Sequence, residues 1–235
     1  MSNVLPRLLI PGSLCDARLF ESMCSHWPNN RLCVVADLHT LKNPTDWCQL
    51  QLERMPERFD VVGFSLGGLL AQSMLRLAPQ RIRALVLLAS SADPAGPTQA
   101  ERWQAQQSQW QQIGPRALAQ AMSQQASPRL SEAQRQLVQD MAESTPEIAF
   151  QAQGEFNASR PSGFPVLSEC PTALCLISGA NDPWCTPAVQ QRIQKARPDA
   201  AHWVLPDAGH YLPLEAPAEV AQATEQFLSA LQPTH

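Results

Sequence analysis

The stretch Gly63-Phe64-Ser65-Leu66-Gly67-Gly68 decides how the rest of the chain is interpreted. An apolar run over residues 59–62 enters it, and a helical pattern with one apolar face leaves it over residues 66–77. A serine between glycines, at a strand-to-helix turn, is typical of a sharp turn that exposes a nucleophilic hydroxyl at the edge of a sheet. Glycine lets such a turn pack closely against its neighbours, because it has no Cβ. The stretch therefore predicts that Ser65 is a nucleophile.

Short apolar runs alternate with helical patterns on both sides of this stretch. We predict six strands, over residues 5–10, 32–36, 59–62, 82–89, 172–177 and 202–205. Helices are predicted over residues 16–24, 44–55, 66–77, 188–196 and 217–231. Strands that are apolar on both faces and alternate with helices indicate a mostly parallel sheet with helices on both sides. The predicted fold class is therefore α/β.

Residues 92–165 interrupt this alternation. The segment is rich in Gln, has no β-branched run, and its pattern predicts three or four amphipathic helices. Breaks between them are predicted at Gly114-Pro115, Ser127-Pro128 and Thr145-Pro146. We expect a core formed by residues 1–91 and 166–235, with residues 92–165 as a helical cap inserted after the strand that ends near Ala89.

A serine hydroxyl needs a base that takes its proton, and the base needs an acid that orients it. Of the five histidines, only His210 follows the last predicted strand in a turn-forming context. Asp182 follows the preceding strand, and the carboxyl ends of parallel strands meet at the edge that also holds the serine turn. Asp207 is the alternative acid, although its place just before His210 favours a role in the turn. We predict Ser65, Asp182 and His210 as catalytic residues.

Two backbone N–H groups are candidates for binding the negative oxygen of a tetrahedral intermediate. Leu66 directly follows the predicted nucleophile, and Ser13 follows the Pro11-Gly12 turn after the first strand. An ordinary turn at a strand end is the alternative interpretation of Pro11-Gly12. We predict the N–H groups of Leu66 and Ser13 as the oxyanion donors.

Apolar side chains in the cap and in the loops near the predicted nucleophile are candidates for a pocket wall. Trp103, Trp110 and Ile113 form one apolar stripe, which is also typical of a helix packed against the body of the protein. If the stripe faces the pocket, it favours a small to medium, mainly apolar acyl group. The predicted pocket residues are Leu14, Trp103, Trp110, Trp184 and Tyr211.

Composition and charge argue against several other classes. The formal net charge is −4 over 235 residues without a basic cluster, so neither a nucleic acid nor a membrane is an expected partner. Met1-Ser2-Asn3 lacks the features of a signal peptide, and the seven cysteines form no C-x-x-C pair. We therefore expect reduced thiols and a cytoplasmic location. Neither a metal nor an organic cofactor is expected, because ligand-spaced His/Cys clusters and phosphate-binding motifs do not occur.

The turn after the first strand, the serine turn and the segments that contain Asp182 and His210 follow one another in the order found in the α/β-hydrolase family. The chain resembles this family over about residues 5–231. The serine turn is similar to that of small esterases and meta-cleavage hydrolases, and residues 179–182 and 209–217 resemble the family's acid and histidine blocks. The resemblance implies the α/β-hydrolase fold, with the cap as a lid. It also implies a Ser-His-Asp triad that cleaves a carboxylic ester through an acyl-enzyme.

Within this family the chain resembles small cap-bearing carboxylesterases, such as the pimeloyl-[acyl-carrier protein] methyl ester esterases. It departs from them at Pro11, which replaces the usual His, and in lacking a predicted antiparallel pair before the first strand. The resemblance implies a small-molecule ester as substrate and admits an acyl-carrier protein as partner. The cap carries five Arg against seven Asp and Glu, a charge of −2 that does not suit an acidic carrier protein.

The predicted serine, histidine and aspartate can support several different reactions. Which reaction occurs depends on the pocket more than on the fold. Thioesters, lactones and carbon–carbon bonds are alternative targets of the same triad, and a lyase is a further one. A ligand-binding, receptor-like protein that keeps the triad is an alternative of a different class. Labelling of Ser65 by a fluorophosphonate without turnover of esters would favour this last alternative.

Overall fold

Six parallel strands form one sheet in the computed structural model, which describes residues 5–28 and 32–231. The strands are β1 (Arg7–Ile10), β2 (Cys33–Val35), β3 (Phe59–Phe64), β4 (Ile82–Leu88), β5 (Ala173–Gly179) and β6 (Ala201–Leu205). Their order is β2-β1-β3-β4-β5-β6, and each neighbouring pair is parallel. The predicted fold class is confirmed. The predictions that concern Met1-Ser2-Asn3 and His235 lie outside the described residues.

Ten α-helices surround this sheet in the part of the chain that the structure describes. They are α1 (Glu21–Ser25), α2 (Pro44–Arg54), α3 (Leu66–Leu77), α4 (Pro97–Ala126), α5 (Glu132–Glu143), α6 (Glu147–Ser159), α7 (Phe164–Glu169), α8 (Pro187–Ala196), α9 (Leu212–Glu215) and α10 (Pro217–Ala230). Short 3-10 helices occupy Ala17–Phe20, Leu38–Thr40 and Pro79–Arg81. Among the described residues, no helix is long and apolar enough to cross a membrane.

The core lies on both faces of the sheet, because successive side chains of a strand point to opposite faces. Leu9, Val62 and Val86 belong to the cluster on one face. Leu8 and Val61 belong to the cluster on the other face. All six residues of β3 are buried, which explains why its sequence is apolar almost throughout and does not alternate with polar residues.

Four helices, α4 to α7, lie between β4 and β5, where the sequence predicts the cap. The predicted break at Gly114-Pro115 is a kink inside α4: Gly114 has φ 78° and ψ 168°, which glycine adopts readily. The other predicted breaks separate helices, because α4 ends before Ser127 and α6 begins after Pro146. The division into a core and a cap at residues 92–165 stays a prediction.

The strand directions bring the loops after β1, β3, β5 and β6 to one edge of the sheet. These loops carry Ser13, Ser65, Asp182 and His210, respectively. The chain segments that contain these residues are far apart in sequence, so the parallel sheet is what brings them together. The fold therefore places the predicted site residues at a single edge.

Candidate active site

Ser65 lies at the turn between β3 and α3 in a strained backbone conformation. Its φ is 50° and its ψ is −114°, a combination that residues with a side chain rarely adopt. Three contacts hold the turn: the Ser65 N–H donates to the Leu88 carbonyl at 2.9 Å, the Gly68 N–H donates to the Ser65 carbonyl at 3.0 Å, and the Ser90 hydroxyl donates to the same carbonyl at 2.8 Å. The surrounding structure thus fixes a serine in the conformation expected of an exposed nucleophile.

The glycines around Ser65 are required by close packing. A Cβ on Gly67 would lie 2.1 Å from the Ile10 carbonyl oxygen, and one on Gly63 would lie 2.7 Å from the Gly67 carbonyl oxygen. Both contacts are with backbone atoms, which cannot move aside as a flexible side chain can. The glycine pattern therefore reflects the approach of α3 to β1 and β3.

A chain of hydrogen bonds joins the three predicted catalytic residues. The Ser65 Oγ lies 3.0 Å from His210 Nε2, and His210 Nδ1 lies 2.8 Å from Asp182 Oδ2. Asp182 and His210 are both 3% exposed, so the contact between the carboxylate and the imidazole is shielded from water. The structure thus brings all three residues together, in the geometry that lets an imidazole take a proton from the hydroxyl.

The carboxylate of Asp182 is oriented by its own loop. Its Oδ1 accepts hydrogen bonds from the N–H groups of Trp184 at 2.8 Å and Cys185 at 2.9 Å. Burial by itself raises the pKa of Asp182, but the hydrogen bond from His210, the charge of His210 and these two N–H groups outweigh it and lower the pKa. The alternative acid, Asp207, is exposed and pairs with Arg129 at 3.1 Å.

The loop that carries His210 is held by the end of α4. The His210 N–H donates to the Ser127 hydroxyl oxygen at 3.0 Å and to the Ala126 carbonyl at 3.1 Å. Glu215 accepts hydrogen bonds from the Ser127 hydroxyl and, at 2.8 Å, from the Gly209 N–H. Because a sequence motif cannot show which distant segment supports a loop, the role of Ser127 had no signal in the sequence.

The chain matches a known family over most of its length. The model of the alpha/beta hydrolase family matches residues 14–223. The chain belongs to this family. This match confirms the resemblance to the α/β-hydrolase family that we inferred from the serine, acid and histidine segments. A search of curated proteins gave no significant match.

Solved structures of hydrolases share the fold. A thermophilic esterase from Thermogutta terrifontis, determined with malate bound, has a TM-score of 0.80 at 21% identity, over 96% of this chain and 89% of that chain. A structure from work on carboxylesterases of Nitrososphaera gargenis has a TM-score of 0.84 at 15% identity, over 97% and 91%. An enol-lactonase from Burkholderia xenovorans LB400 has a TM-score of 0.80 at 19% identity, over 96% and 92%. At such identities the likeness concerns the fold alone.

In this alpha/beta hydrolase, a cavity of about 510 Å³ has Ser65 and His210 in its wall. The predicted oxyanion residues Ser13 and Leu66 also line it. Among the described residues, no protein acceptor contacts the Ser13 N–H, which leaves that donor available to a ligand. The cavity volume is in the range of small-molecule sites.

Three of the five predicted pocket residues line this cavity: Trp103, Trp184 and Tyr211. The prediction is wrong for the other two, because they lie in the packed interior. Trp110 stacks on Phe150 with ring centroids 4.2 Å apart, and Leu14 is 3% exposed and belongs to the hydrophobic core. The predicted stripe also fails at Ile113, which is half exposed and lies one residue before the kink in α4.

Asp182, Cys185 and His210 place ligand-type atoms within 4.8 Å of one another, which is a candidate metal cluster by distance alone. Asp182 and His210 are hydrogen-bonded to each other, so a metal would have to replace that contact. Burial, followed by the nearby charge of Asp182, raises the pKa of the Cys185 thiol well above its ordinary value, which disfavours the thiolate that a metal binds. The expectation that no metal and no organic cofactor is used stays a prediction.

Sequence reasoning missed residues of the predicted cap that reach this site. Gln153, in α6, accepts hydrogen bonds from the Ser13 hydroxyl at 3.0 Å and from the Leu14 N–H at 3.1 Å. Arg160, at the end of α6, is buried and lines the cavity. The Gln-rich composition of the cap conceals Gln153, because nothing local distinguishes it from its many neighbours of the same type.

Proposed function

We propose that this protein is a serine hydrolase of carboxylic esters. The observation that carries the proposal is the continuous contact from Ser65 Oγ to His210 Nε2 at 3.0 Å and from His210 Nδ1 to Asp182 Oδ2 at 2.8 Å. A hydroxyl, an imidazole and a carboxylate in this order form the set of groups used for acyl transfer to a serine. Membership of the alpha/beta hydrolase family supports the same reaction class.

In the proposed mechanism, Ser65 Oγ attacks the ester carbonyl while His210 Nε2 takes its proton. Asp182 holds the His210 tautomer that carries a proton on Nδ1 and stabilises the imidazolium that forms. The N–H groups of Leu66 and Ser13 bind the oxyanion of the tetrahedral intermediate. The alcohol leaves with the proton from His210, and a water activated by the same imidazole then hydrolyses the acyl-enzyme.

Lactones, thioesters and carbon–carbon bonds are the alternative substrates for the same catalytic groups. A lactone is a cyclic ester and would follow the same steps, and the enol-lactonase among the similar folds makes it the first alternative to test. Thioesters and carbon–carbon bonds are further alternatives on the same groups. The cavity wall contains several polar side chains together with apolar ones, so the mainly apolar acyl group stays a prediction.

A small-molecule ester is the partner that we propose. An acyl-carrier protein gains no support from the cap, because three of its five arginines have acidic partners of their own. These are Arg116 with Asp140 and Glu143 at 2.7 Å, Arg129 with Asp207 at 3.1 Å, and Arg135 with Glu132 at 3.2 Å. Arginines that are already paired with carboxylates offer little net positive charge for docking an acidic protein.

Hydrolysis of short p-nitrophenyl esters tests the proposal. We expect the wild type to release p-nitrophenol with multiple turnovers, and Ser65→Ala to lose at least about 10³-fold in kcat because the nucleophile is absent. Ser73→Ala is the matched control: Ser73 lies on α3, and among the described residues its hydroxyl bonds only to the Leu69 carbonyl within the helix. Equal rates for the wild type and Ser65→Ala would exclude Ser65 as the nucleophile.

A further inference from the structure

Polar side chains of α6, and of Arg160 directly after it, line the cavity. Gln153, Asn157 and Arg160 all line the cavity wall. Gln153 and Asn157 are four positions apart and therefore lie on the same face of α6, and Arg160 is the residue at which this helix ends. The same cavity has Ser65 in its wall, which places this row of polar groups within the site proposed above.

Gln153 is buried with one donor group unused. It is 1% exposed, and its Oε1 accepts from the Ser13 hydroxyl and the Leu14 N–H. A backbone N–H is always a donor, so the contact with Leu14 fixes which end of the amide is oxygen. The Nε2 group has no partner in the described protein. A buried donor without an acceptor is costly, and a ligand oxygen would remove that cost.

Arg160 is a buried cation without a carboxylate partner among the described residues. It is 8% exposed; its Nε donates to the Asp93 carbonyl at 3.0 Å, and its Nη1 donates to the carbonyl and side-chain oxygens of Asn157, both at 2.6 Å. Its Nη2 makes no contact with a protein acceptor in the described residues. The nearby Asp93 carboxylate instead contacts Arg192 at 2.5 Å. Buried charges in proteins are normally paired, so this guanidinium lacks its counter-ion.

The charge around the cavity differs from that of the cap as a whole. Among the residues that the structure describes, the lining contains one carboxylate, Asp93, and two guanidinium groups, Arg102 and Arg160. Because Asp93 is engaged by Arg192, the wall carries an excess of positive charge, although the cap is acidic overall. Burial lowers the pKa of Arg160, which agrees with a cation whose surroundings compensate its charge only in part.

We infer that the acyl part of the ester carries a carboxylate, which is bound by Arg160 Nη2 and Gln153 Nε2. This inference rests on the proposed ester hydrolysis at Ser65, and it names the substrate class of the same cavity. Arginine suits this role because its planar group matches the two oxygens of a carboxylate. The substrate class is therefore the half-ester of a dicarboxylic acid, whose free carboxylate faces α6 while its ester carbonyl lies at Ser65.

Two methyl esters of equal chain length test this inference. Monomethyl glutarate carries the free carboxylate, and methyl pentanoate lacks it; a pH-stat follows the hydrolysis of both. We expect the wild type to prefer monomethyl glutarate by about 10-fold or more in kcat/KM, mainly through KM, and Arg160→Gln to lower this preference by about 10- to 100-fold. Arg116→Gln is the matched control, because Arg116 lies in the same cap and pairs with exposed carboxylates away from the cavity.

A second variant separates binding from support of the fold. Gln153→Glu keeps an oxygen for the Ser13 hydroxyl and the Leu14 N–H, but replaces the Nε2 donor with a second carboxylate oxygen. We expect it to reduce kcat/KM for monomethyl glutarate more than for methyl pentanoate, because like charges repel. Loss of both esters by the same factor in Gln153→Glu and in Arg160→Gln, or equal use of both esters by the wild type, would overturn the inference.

Binding without turnover keeps this inference distinct from the proposed function. In the Ser65→Ala protein, titration calorimetry with monomethyl glutarate and with methyl pentanoate measures recognition of the free carboxylate alone. We expect monomethyl glutarate to bind more tightly than methyl pentanoate, and Arg160→Gln in the Ser65→Ala background to abolish the difference. Equal affinities would refute carboxylate recognition even if the wild type hydrolyses esters. Tighter binding of monomethyl glutarate would support it even if the wild type cleaved neither methyl ester.

Discussion

Replacing Asp182 with Asn tests the orientation of the proposed base. In the wild-type protein, Asp182 Oδ1 accepts hydrogen bonds from the N–H groups of Trp184 and Cys185, and Oδ2 accepts a hydrogen bond from His210 Nδ1. In Asp182→Asn, the amide oxygen has to face the two backbone N–H groups, so the amide NH₂ faces His210 Nδ1. That nitrogen must then accept, which puts the ring proton on Nε2 and leaves Nε2 unable to take the proton of Ser65.

We expect a large loss of kcat in Asp182→Asn, because His210 would be held in the wrong tautomer. The overall structure should stay unchanged. Holding the base in the wrong tautomer lowers kcat by about 10⁴-fold, or roughly 5 kcal/mol of transition-state stabilisation. The assay is the steady-state hydrolysis of p-nitrophenyl acetate at pH 8, with the far-ultraviolet circular dichroism of each protein recorded alongside.

Asp207→Asn is the control for this prediction, since the exposed Asp207 is the other acid in the sequence near His210. We expect kcat for Asp207→Asn to stay within about 3-fold of the wild type, because its contact with Arg129 is on the surface. A loss of less than 10-fold in Asp182→Asn, or a larger loss in Asp207→Asn, would refute the assignment of Asp182.

Three further predictions concern the turn, the acid and the thiols. Gly67→Ala should lower the free energy of unfolding in urea by about 3 kcal/mol or more, because its Cβ meets the Ile10 carbonyl, whereas Gly96→Ala, where the nearest atom lies 3.4 Å away, should change it little. Because the pKa of Asp182 lies below its ordinary value of 3.8, its ionised form stabilises the fold above about pH 4. This contribution is lost as the pH falls through the lowered pKa, so urea unfolding of the wild type should weaken below pH 4 more steeply than that of Asp182→Asn. Burial raises the pKa of the Cys15 and Cys185 thiols, so iodoacetamide at pH 8 should leave both unmodified in the native protein; labelling of Cys185 before unfolding, seen by peptide mass spectrometry, would contradict this.

The sequence predicts those parts of the site that local patterns encode. Ser65 is marked by the glycines around it, and Asp182 and His210 are each marked by a turn that follows an apolar strand. The parallel sheet then brings these turns together, because the loops after β3, β5 and β6 meet at one edge. The predicted fold class and the order of these turns along the chain were therefore enough to predict that Ser65, Asp182 and His210 would meet.

Contacts that cross between the predicted cap and the predicted core could not be predicted in the same way. The hydrogen bond from Ser13 to Gln153 spans 140 residues, and no periodicity in the cap distinguishes Gln153 from other glutamines on its exposed faces. Trp103 and Trp110 share a helical stripe and both contact Phe150, yet only Trp103 lines the cavity. The difference depends on where α4 crosses α6, which is a property of packing between helices and not of either helix alone.

Reaction of the wild-type protein with a fluorophosphonate probe, followed by an assay of ester turnover, tests the central claim most directly. We predict a single adduct, located on the peptide that contains Ser65 by mass spectrometry, and complete loss of p-nitrophenyl ester hydrolysis in step with labelling. Ser65→Ala should not be labelled. Labelling without any turnover by the unmodified protein would favour a ligand-binding role over an enzyme. An unlabelled Ser65 in a protein that still hydrolyses esters would contradict the account.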